Sequence, residues 1–298
     1  MTESASPPAP PSADVVAAIV ANALAEDRAG FDVTTRATVA RDQRGAATIL
    51  YKQAGVVCGL DVVREVFRQV SPEIEVRAST SDGAWVESGT TVAAVQGPLG
   101  PMLSGERVAL NLLQRMSGIA TLAHQYVEAA TGGGWTRVVD TRKTTPGLRA
   151  LERYAVRTGG AHNHRDTLQD GVLIKDNHIE AAAQRGVAIP ELLASVRAEV
   201  AHTLRIEIEV TTPEMAREAL TGGADVVLLD NMTPAMMAAI VAEARAQPEY
   251  ERVLFEASGG ITLETIASVA ATGVDLISCG ALTHSAPALD ISLDVRPA

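Results

Sequence analysis

Lysine is the scarcest charged residue of this chain: Lys52, Lys143 and Lys175 stand against twenty-two arginines. Arginine occupies most positions where any cation would serve, so a surviving lysine marks a place that wants a compact, tunable ammonium. Lys143 and Lys175 share one short stretch and invite a functional reading; chance is the bland alternative, and it weighs more for Lys52. Cysteine is almost missing too. Cys58 and Cys279 lie far apart and match no Cys-x-x-Cys or Cys/His spacing, which excludes a disulfide scaffold and structural zinc and points to a reducing, cytoplasmic compartment. No apolar run approaches the roughly 20 residues that a membrane helix requires. Residues 1–12, rich in Pro, Ser and Ala, lack the basic and apolar regions of a signal peptide, and their composition predicts a disordered tail. The 298 residues suffice for two domains with ample core and no covalent staple.

What is present is concentrated. Residues 137–175 hold eight Lys or Arg against four Asp or Glu, in a chain whose formal net charge is −11. Long nucleic acids need an extended basic face; a focused positive region in an acidic protein suits a small polyanion held in a pocket. Three segments carry this chemistry: Asp140-Thr-Arg-Lys-Thr-Thr-Pro-Gly-Leu-Arg149, Gly159-Gly-Ala-His-Asn-His-Arg165 and Leu173-Ile-Lys-Asp-Asn-His-Ile179.

Hydrophobic spacing predicts a helix over 13–27 capped by Ser12, strands over 46–52, 74–78 and 91–95, a helix over 60–70, and turns at Ser81-Asp82-Gly83 and Gly97-Pro98. This is an α+β unit. A long helical stretch over 104–130 follows, with a break expected at Ser117-Gly118. From there one phrase repeats: a short Val/Ile-rich run, a polar cluster, then an amphipathic helix. Six runs fit, at 137–141, 171–175, 205–210, 225–230, 253–256 and 275–278. Near-continuous apolar strands alternating with helices indicate a parallel sheet covered by helices, and polar residues after every run point to a β/α barrel with its site at the strands' C-terminal ends. A doubly wound open sheet is the runner-up. Residues 289–295 alternate apolar and acidic and are expected to return as a strand to the first unit.

Glu209 and Asp230 end consecutive runs, where they can hold Mg²⁺ directly or through water; the alternative is a buried salt bridge to Lys143 or Lys175, and the two are compatible. Glu256-Ala-Ser-Gly-Gly-Ile261 and Ser278-Cys-Gly-Ala-Leu-Thr-His284 let backbone amides approach a phosphate, or else are turns that simply need glycine. His162 and His164 suggest a metal pair, but too few later histidines are placed to complete a metallohydrolase site, and Arg165 and Lys175 would repel a cation. Lys175 also resembles a Schiff-base lysine, without an obvious carbonyl-handling partner.

In order, the three basic segments, Leu229-Asp230-Asn231, Ser258-Gly259-Gly260 and Gly280-Ala-Leu-Thr-His284 resemble the motif series of quinolinate phosphoribosyltransferase, also called nicotinate-nucleotide pyrophosphorylase (carboxylating). The resemblance runs from about Glu26-Asp27 to the C-terminus, with Ala161 where the family often has a third glycine; the Pro-rich tail lies outside it. It implies an N-terminal α+β domain over 13–118 joined by a C-terminal strand over 287–298, and an incomplete, seven-stranded β/α barrel over 119–286. It also implies a homodimer whose sites are shared across the interface, with Arg107 supplied by the neighbouring subunit. By the same match Arg142, His164, Arg165 and Lys175 would hold the pyridine dicarboxylate. Lys143, Glu209 and Asp230 would act on the ribose and Mg-pyrophosphate, the two carboxylates as metal ligands, and Ser258, Gly259 and Gly280 would bind the 5-phosphate. The implied activity is that of a pentosyltransferase of NAD biosynthesis using quinolinate and phosphoribosyl pyrophosphate, with no nucleic-acid or membrane partner. Planar guanidinium forks suit adjacent carboxylates, which favours quinolinate over nicotinate as the pyridine. Rivals outside the class are the metallohydrolase, a lyase using Lys175, and a non-catalytic phosphosugar binder, which would not need Glu209 and Asp230.

Overall fold

The computed structural model describes residues 8–130 and 134–297. Twelve strands among them are, in chain order, β1 (Arg44–Tyr51), β2 (Gly55–Val56), β3 (Glu75–Ala78), β4 (Trp85–Val86), β5 (Thr90–Pro98), β6 (Arg137–Val139), β7 (Val172–Ile174), β8 (Ile206–Val210), β9 (Val226–Asp230), β10 (Leu254–Ser258), β11 (Leu276–Ser278) and β12 (Ile291–Pro297). The chain forms two compact units. The first is built from three stretches, up to His124, Thr144–Gly160 and from Leu282 onward; the second comprises Gln125–Lys143 and Ala161–Ala281.

The first unit is α+β. Its main sheet has the order β12-β1-β5-β3, with every neighbour antiparallel. Along β1 the residues Gly45, Ala47, Ile49 and Tyr51 are buried in alternation, as a strand with one face on a core requires. The expected C-terminal strand is β12, which pairs with β1 from Gly45↔Pro297 to Tyr51↔Ile291. The helix Leu60–Val70 buries Leu60, Val63, Val66 and Phe67, three or four residues apart, on one stripe. Asp82 anchors its start by accepting the N–H groups of Gly59 (2.9 Å) and Leu60 (3.1 Å), and it also accepts the Tyr154 hydroxyl (2.9 Å).

Several local expectations need correction. Gly97-Pro98 is the end of β5 rather than a turn: a Cβ at Gly97 would lie 2.9 Å from the Ile74 Cα, so glycine there serves a close backbone approach. No break occurs at Ser117-Gly118, because one helix runs unbroken over Leu99–Ala130. It begins before the expected Ser104, and Pro101 is tolerated in a first turn whose N–H groups have no intrahelical partners. Ser117 and Gly118 are small for packing reasons. The Ser117 hydroxyl lies 2.7 Å from that of Tyr51 and accepts the Cys58 N–H at 3.1 Å. The Pro287 carbonyl oxygen lies 1.9 Å from where a Cβ of residue 118 would be. Ser12 makes no side-chain cap to the first helix, Ala13–Glu26. Of the expected tail, residues 1–7 fall outside the described residues, while the Ala9 carbonyl accepts a hydrogen bond from Arg157 (2.9 Å).

The second unit is a parallel-strand α/β structure with strand order β6-β11-β10-β9-β8-β7, one strand for each of the six runs. A seventh position exists as a single parallel bridge, Val139↔His162, made by the His162 N–H to Val138 (2.9 Å) and the Asp140 N–H to His162 (3.0 Å). The expected incomplete, seven-stranded barrel is therefore six strands plus one residue-long pairing. Ile206, Ile208 and Val210 are buried on one face of β8, which puts Glu207 and Glu209 on the other. Glu256 shares that face, since Glu209 and Glu256 both pair with Leu228. Helices start cleanly after β8 and β9: Thr212 and Thr233 accept the N–H groups of Met215 and Met236, and Pro213 and Pro234 occupy the first helical positions. No helix among the described residues is long and apolar enough to cross a membrane.

Candidate active site

The C-terminal ends of the second unit's strands carry its polar chemistry. Lys175 follows β7 and stands at the N-cap of the helix Asp176–Ala183, where the His178 ring accepts the Lys175 N–H through Nδ1 (2.9 Å). His178 thus orients the backbone that presents Lys175. The Lys175 ammonium donates to Glu209 Oε2 at 2.9 Å, with the carboxylate 15% and the lysine 49% exposed. The salt bridge weighed for Glu209 is present with Lys175, at a partly solvated mouth where its carboxylate stays accessible. Asp230 ends β9 directly across from Ser258 at the end of β10. Asn231, in a left-handed conformation (φ 53°), donates to Asp230 Oδ2 (2.6 Å), and its N–H binds the Ser258 carbonyl (3.0 Å). Gly259 (φ 97°) is obligatory here, since a Cβ would meet Asn231 Oδ1 at 2.3 Å. Its glycine requirement is explained by the turn; an anion site would use the same open backbone.

Deeper in the unit lies a group that the sequence does not announce. Asp140, fully buried, accepts the His164 N–H (2.7 Å) and the Asn163 amide (2.7 Å), which fixes the 162–164 segment beside β6. The His164 ring then points Nε2 at Glu207 (3.1 Å) and Glu256 (3.5 Å), both buried. Its Nδ1 accepts the Arg165 N–H at 2.8 Å. Burial opposes charging of this ring, but the hydrogen bonds and charges of Glu207 and Glu256 outweigh it and push its pKa up to about 10. Burial likewise pushes the Glu207 carboxyl up, and Glu256 adds to the effect. The two shifts describe one event: the cluster keeps an extra proton, on the ring or on a carboxyl. An N–H already faces Nδ1, so the hydrogen-bonding geometry favours a ring that carries its proton at Nε2.

Arg142 and Arg165 are half-buried close to one another. Burial first, then the Arg142 charge, lowers the Arg165 pKa, and Arg142 Nε is buried with no hydrogen-bond partner. Arg165 Nη1 also donates to the Gly171 carbonyl (2.9 Å), which braces it. Two guanidinium groups held together against their repulsion are an anion site in waiting. Lys143 is exposed beyond β6, its N–H bound to the Thr141 hydroxyl (3.1 Å), and Gly280 follows β11 at the same strand ends. Arg107 lies exposed on the helix Leu99–Ala130, within the first unit.

The second unit thus brings together Arg142, Lys143, His164, Arg165, Lys175, Glu209, Asp230, Ser258, Gly259 and Gly280 at or near its strand ends. Sequence reasoning missed Asp140, Glu207 and Glu256. The signal for Glu207 was its spacing of two from Glu209 on one strand. The one group of three or more His, Cys, Asp or Glu within ligand distance among the described residues is His164, Glu207 and Glu256, and His162 is not part of it. For Mg²⁺, the half-buried carboxylates Glu209 and Asp230 offer the hard oxygen donors that this ion takes.

Cationic groups and carboxylates ringed at the ends of parallel strands define a β/α enzyme that handles small polyanions. Residues 32–117 match the N-terminal domain of quinolinate phosphoribosyl transferase and residues 119–294 its C-terminal domain. A probable nicotinate-nucleotide pyrophosphorylase (carboxylating) of Bacillus subtilis (strain 168) is 42% identical over 270 residues, 91% of this chain and 90% of the relative. The nicotinate-nucleotide pyrophosphorylase (carboxylating) of Mycobacterium leprae (strain TN) is 41% identical, over 93% of this chain and 95% of its own. The crystal structure of NadC from Streptococcus pyogenes superposes with a TM-score of 0.90 at 35% identity, covering 98% of this chain and 100% of that one. The chain belongs to the quinolinate phosphoribosyl transferase family.

Proposed function

We propose that the mouth of the parallel-strand unit is where this chain performs its family's reaction, phosphoribosyl transfer to quinolinate with loss of CO₂, yielding nicotinate mononucleotide and pyrophosphate for NAD biosynthesis. The observation that carries the assignment of the pyridine site is the Arg142–Arg165 pair, with Arg142 Nε buried and unpartnered. A planar dicarboxylate would supply the acceptors it lacks. Lys175 would contribute a further cation beside them. Lys143, Glu209 and Asp230 would face the ribose and pyrophosphate, and Ser258, Gly259 and Gly280 the 5-phosphate.

In the reaction the pyridine nitrogen of quinolinate forms a bond to ribose C1 as the bond from C1 to the pyrophosphate oxygen breaks. The charge that builds on the leaving group must be neutralised and the reactants aligned, which is work for fixed cations more than for proton transfer. Mg²⁺, held by Glu209 and Asp230 directly or through water, would supply positive charge to the pyrophosphate when bound. The ribosylated ring nitrogen is cationic. Its positive charge stabilises the electron pair left on the adjacent ring carbon when CO₂ departs, and that pair then takes up a proton in place of the carboxylate. No separate electron-sink cofactor is required.

The working form would be a cytoplasmic homodimer in which Arg107 from the first unit of one subunit completes the mouth of the other. The test is to incubate purified protein with Mg²⁺, phosphoribosyl pyrophosphate and either quinolinate or nicotinate, following nicotinate mononucleotide and CO₂. Product and CO₂ from quinolinate alone are expected. Product from nicotinate alone would overturn the dicarboxylate reading of the arginines.

A further inference from the structure

Both nitrogens of the His164 ring are engaged within the protein: Nδ1 by the Arg165 N–H (2.8 Å), Nε2 by Glu207 (3.1 Å) and Glu256 (3.5 Å). In this arrangement the ring ties the buried carboxylates to the backbone of Arg165. We propose that Glu207 and Glu256 are positioning residues for quinolinate: they hold His164 as its Nε2–H tautomer, so that Nδ1 receives the Arg165 N–H and sets Arg165 for the dicarboxylate. The proposal rests on the reading of Arg165 as a dicarboxylate-binding residue.

The geometry decides between this role and a metal centre. His164, Glu207 and Glu256 have the ligand types and spacing of a cation site, and three of the four carboxylate oxygens, Glu207 Oε1 and both of Glu256, are buried without a hydrogen-bond partner. A metal on Nε2 would take that nitrogen's lone pair and move the ring proton to Nδ1. There it would confront the Arg165 N–H at 2.8 Å, two donors face to face. The tautomer that suits a metal is the one this backbone disfavours. The tautomer that suits Arg165 needs a buried acceptor at Nε2; Glu207 supplies it at 3.1 Å, with the Glu256 carboxylate behind it at 3.5 Å. Asp140 completes the device from the other side by gripping the His164 N–H (2.7 Å), so backbone and ring are pinned independently. Arg165 is braced at its far end by the Gly171 carbonyl (2.9 Å).

Two measurements test this. Proton–nitrogen correlation spectra of the wild-type protein labelled with ¹⁵N-histidine, with His164 assigned by its loss in His164→Gln, should show a neutral ring protonated at Nε2. Steady-state kinetics of Glu256→Met and Glu207→Met should show KM for quinolinate raised roughly 10- to 100-fold, the range expected when a binding group shifts by about an ångström, with KM for phosphoribosyl pyrophosphate unmoved. Glu256→Gln keeps an acceptor and mimics a protonated carboxyl, so it should recover most of that loss. Combining Glu256→Met with Arg165→Lys should cost no more than the worse single change, since both act through one contact. A ring protonated at Nδ1 or at both nitrogens, equal rises in both KM values, or one tightly bound zinc per chain that Glu256→Gln releases would each overturn the proposal. If the methionine variants fail to fold, the wild-type spectrum and Glu256→Gln still decide it. An Nε2–H ring in a protein inactive on quinolinate would sink the functional reading and the quinolinate role with it, whereas activity on quinolinate with the wrong tautomer would sink this proposal alone.

Discussion

Gly118→Ala is the substitution for which helix propensity and packing make opposite forecasts. Residue 118 lies inside the 32-residue helix Leu99–Ala130, where alanine is favoured over glycine by about 1 kcal/mol. The new methyl would stand 1.9 Å from the Pro287 carbonyl oxygen, 3.0 Å from its carbon and 3.2 Å from the Ala288 Cα. Reaching ordinary contact requires roughly 1.5 Å of movement. The obstacle is backbone, and it cannot swing aside as a side chain would. It is also strapped to the same helix, by the Leu289 N–H to Gln114 (3.1 Å), Arg115 to the Ala286 carbonyl (3.0 Å) and Gln114 to the Ile291 carbonyl (2.8 Å). Overpacking of this kind costs about 1–3 kcal/mol, and lost straps add to it, so the net expectation after the propensity gain is destabilisation of about 2 kcal/mol. For 298 residues, at roughly 2.1 cal/mol/K of unfolding entropy each, that is a fall in Tm of about 3 °C. Thermal melts and urea titrations read it directly, while kcat at 25 °C should change little. A Gly118→Ala protein that melts higher than the wild type would refute the reasoning, because propensity would then have won over the Pro287 contact.

Mixing inactive Arg107→Ala and inactive Lys143→Ala proteins should regenerate part of the activity through mixed dimers; no recovery after demonstrated subunit exchange would rule out a shared site. Arg165→Lys keeps the charge and loses the fork, so KM for quinolinate should rise roughly tenfold or more, and an unchanged KM would reduce Arg165 to structure. Asp32 caps the helix Val33–Thr38 by accepting the Thr35 N–H (3.0 Å), and the Thr35 hydroxyl first, then this N–H, holds its carboxyl below the ordinary 3.8. A folded-state pKa below the unfolded one gives stability that is full above pH 3.8 and lost as pH falls through the lower folded value. Asp32→Ala should therefore cost about 1 kcal/mol in neutral denaturant titrations and flatten the acid limb of the stability profile; an unchanged limb would discount the cap.

Most of the architecture is legible because its signals are local. The runs ending in Thr141, Lys175, Val210, Asp230, Glu256 and Ser278 are near-continuous Val/Ile/Leu segments, and each contributes a strand. The seventh strand position is not legible, because Gly159-Gly-Ala-His-Asn-His164 has no strand propensity and pairs through one bridge held by Asp140. β2 and β4 escape for the same reason, being two residues each. Ser117-Gly118 misleads because a helix-breaking pair in sequence is, in the fold, a place where another backbone comes close. In the site, the exposed cations and mouth carboxylates are legible from their motifs, whereas Glu207 and Glu256 look like ordinary strand residues. Their significance comes from register, since only the pairing of β8, β9 and β10 turns them toward one histidine.

The pairing of β1 with β12 joins Gly45 to Pro297, so the first unit's sheet lacks its outer strand until synthesis has passed residue 297. The stretch Ala161–Ala281 of the second unit emerges earlier, and its neighbouring strands can find each other while synthesis continues. Meanwhile β1 is an open edge of eight residues, with β5 on one side and unpaired backbone on the other. β12 is therefore the strand that covers the long edge of β1, replacing it with a shorter edge of its own. The first unit, which carries Arg107, is thus completed by a segment made some 240 residues after the strand it pairs with.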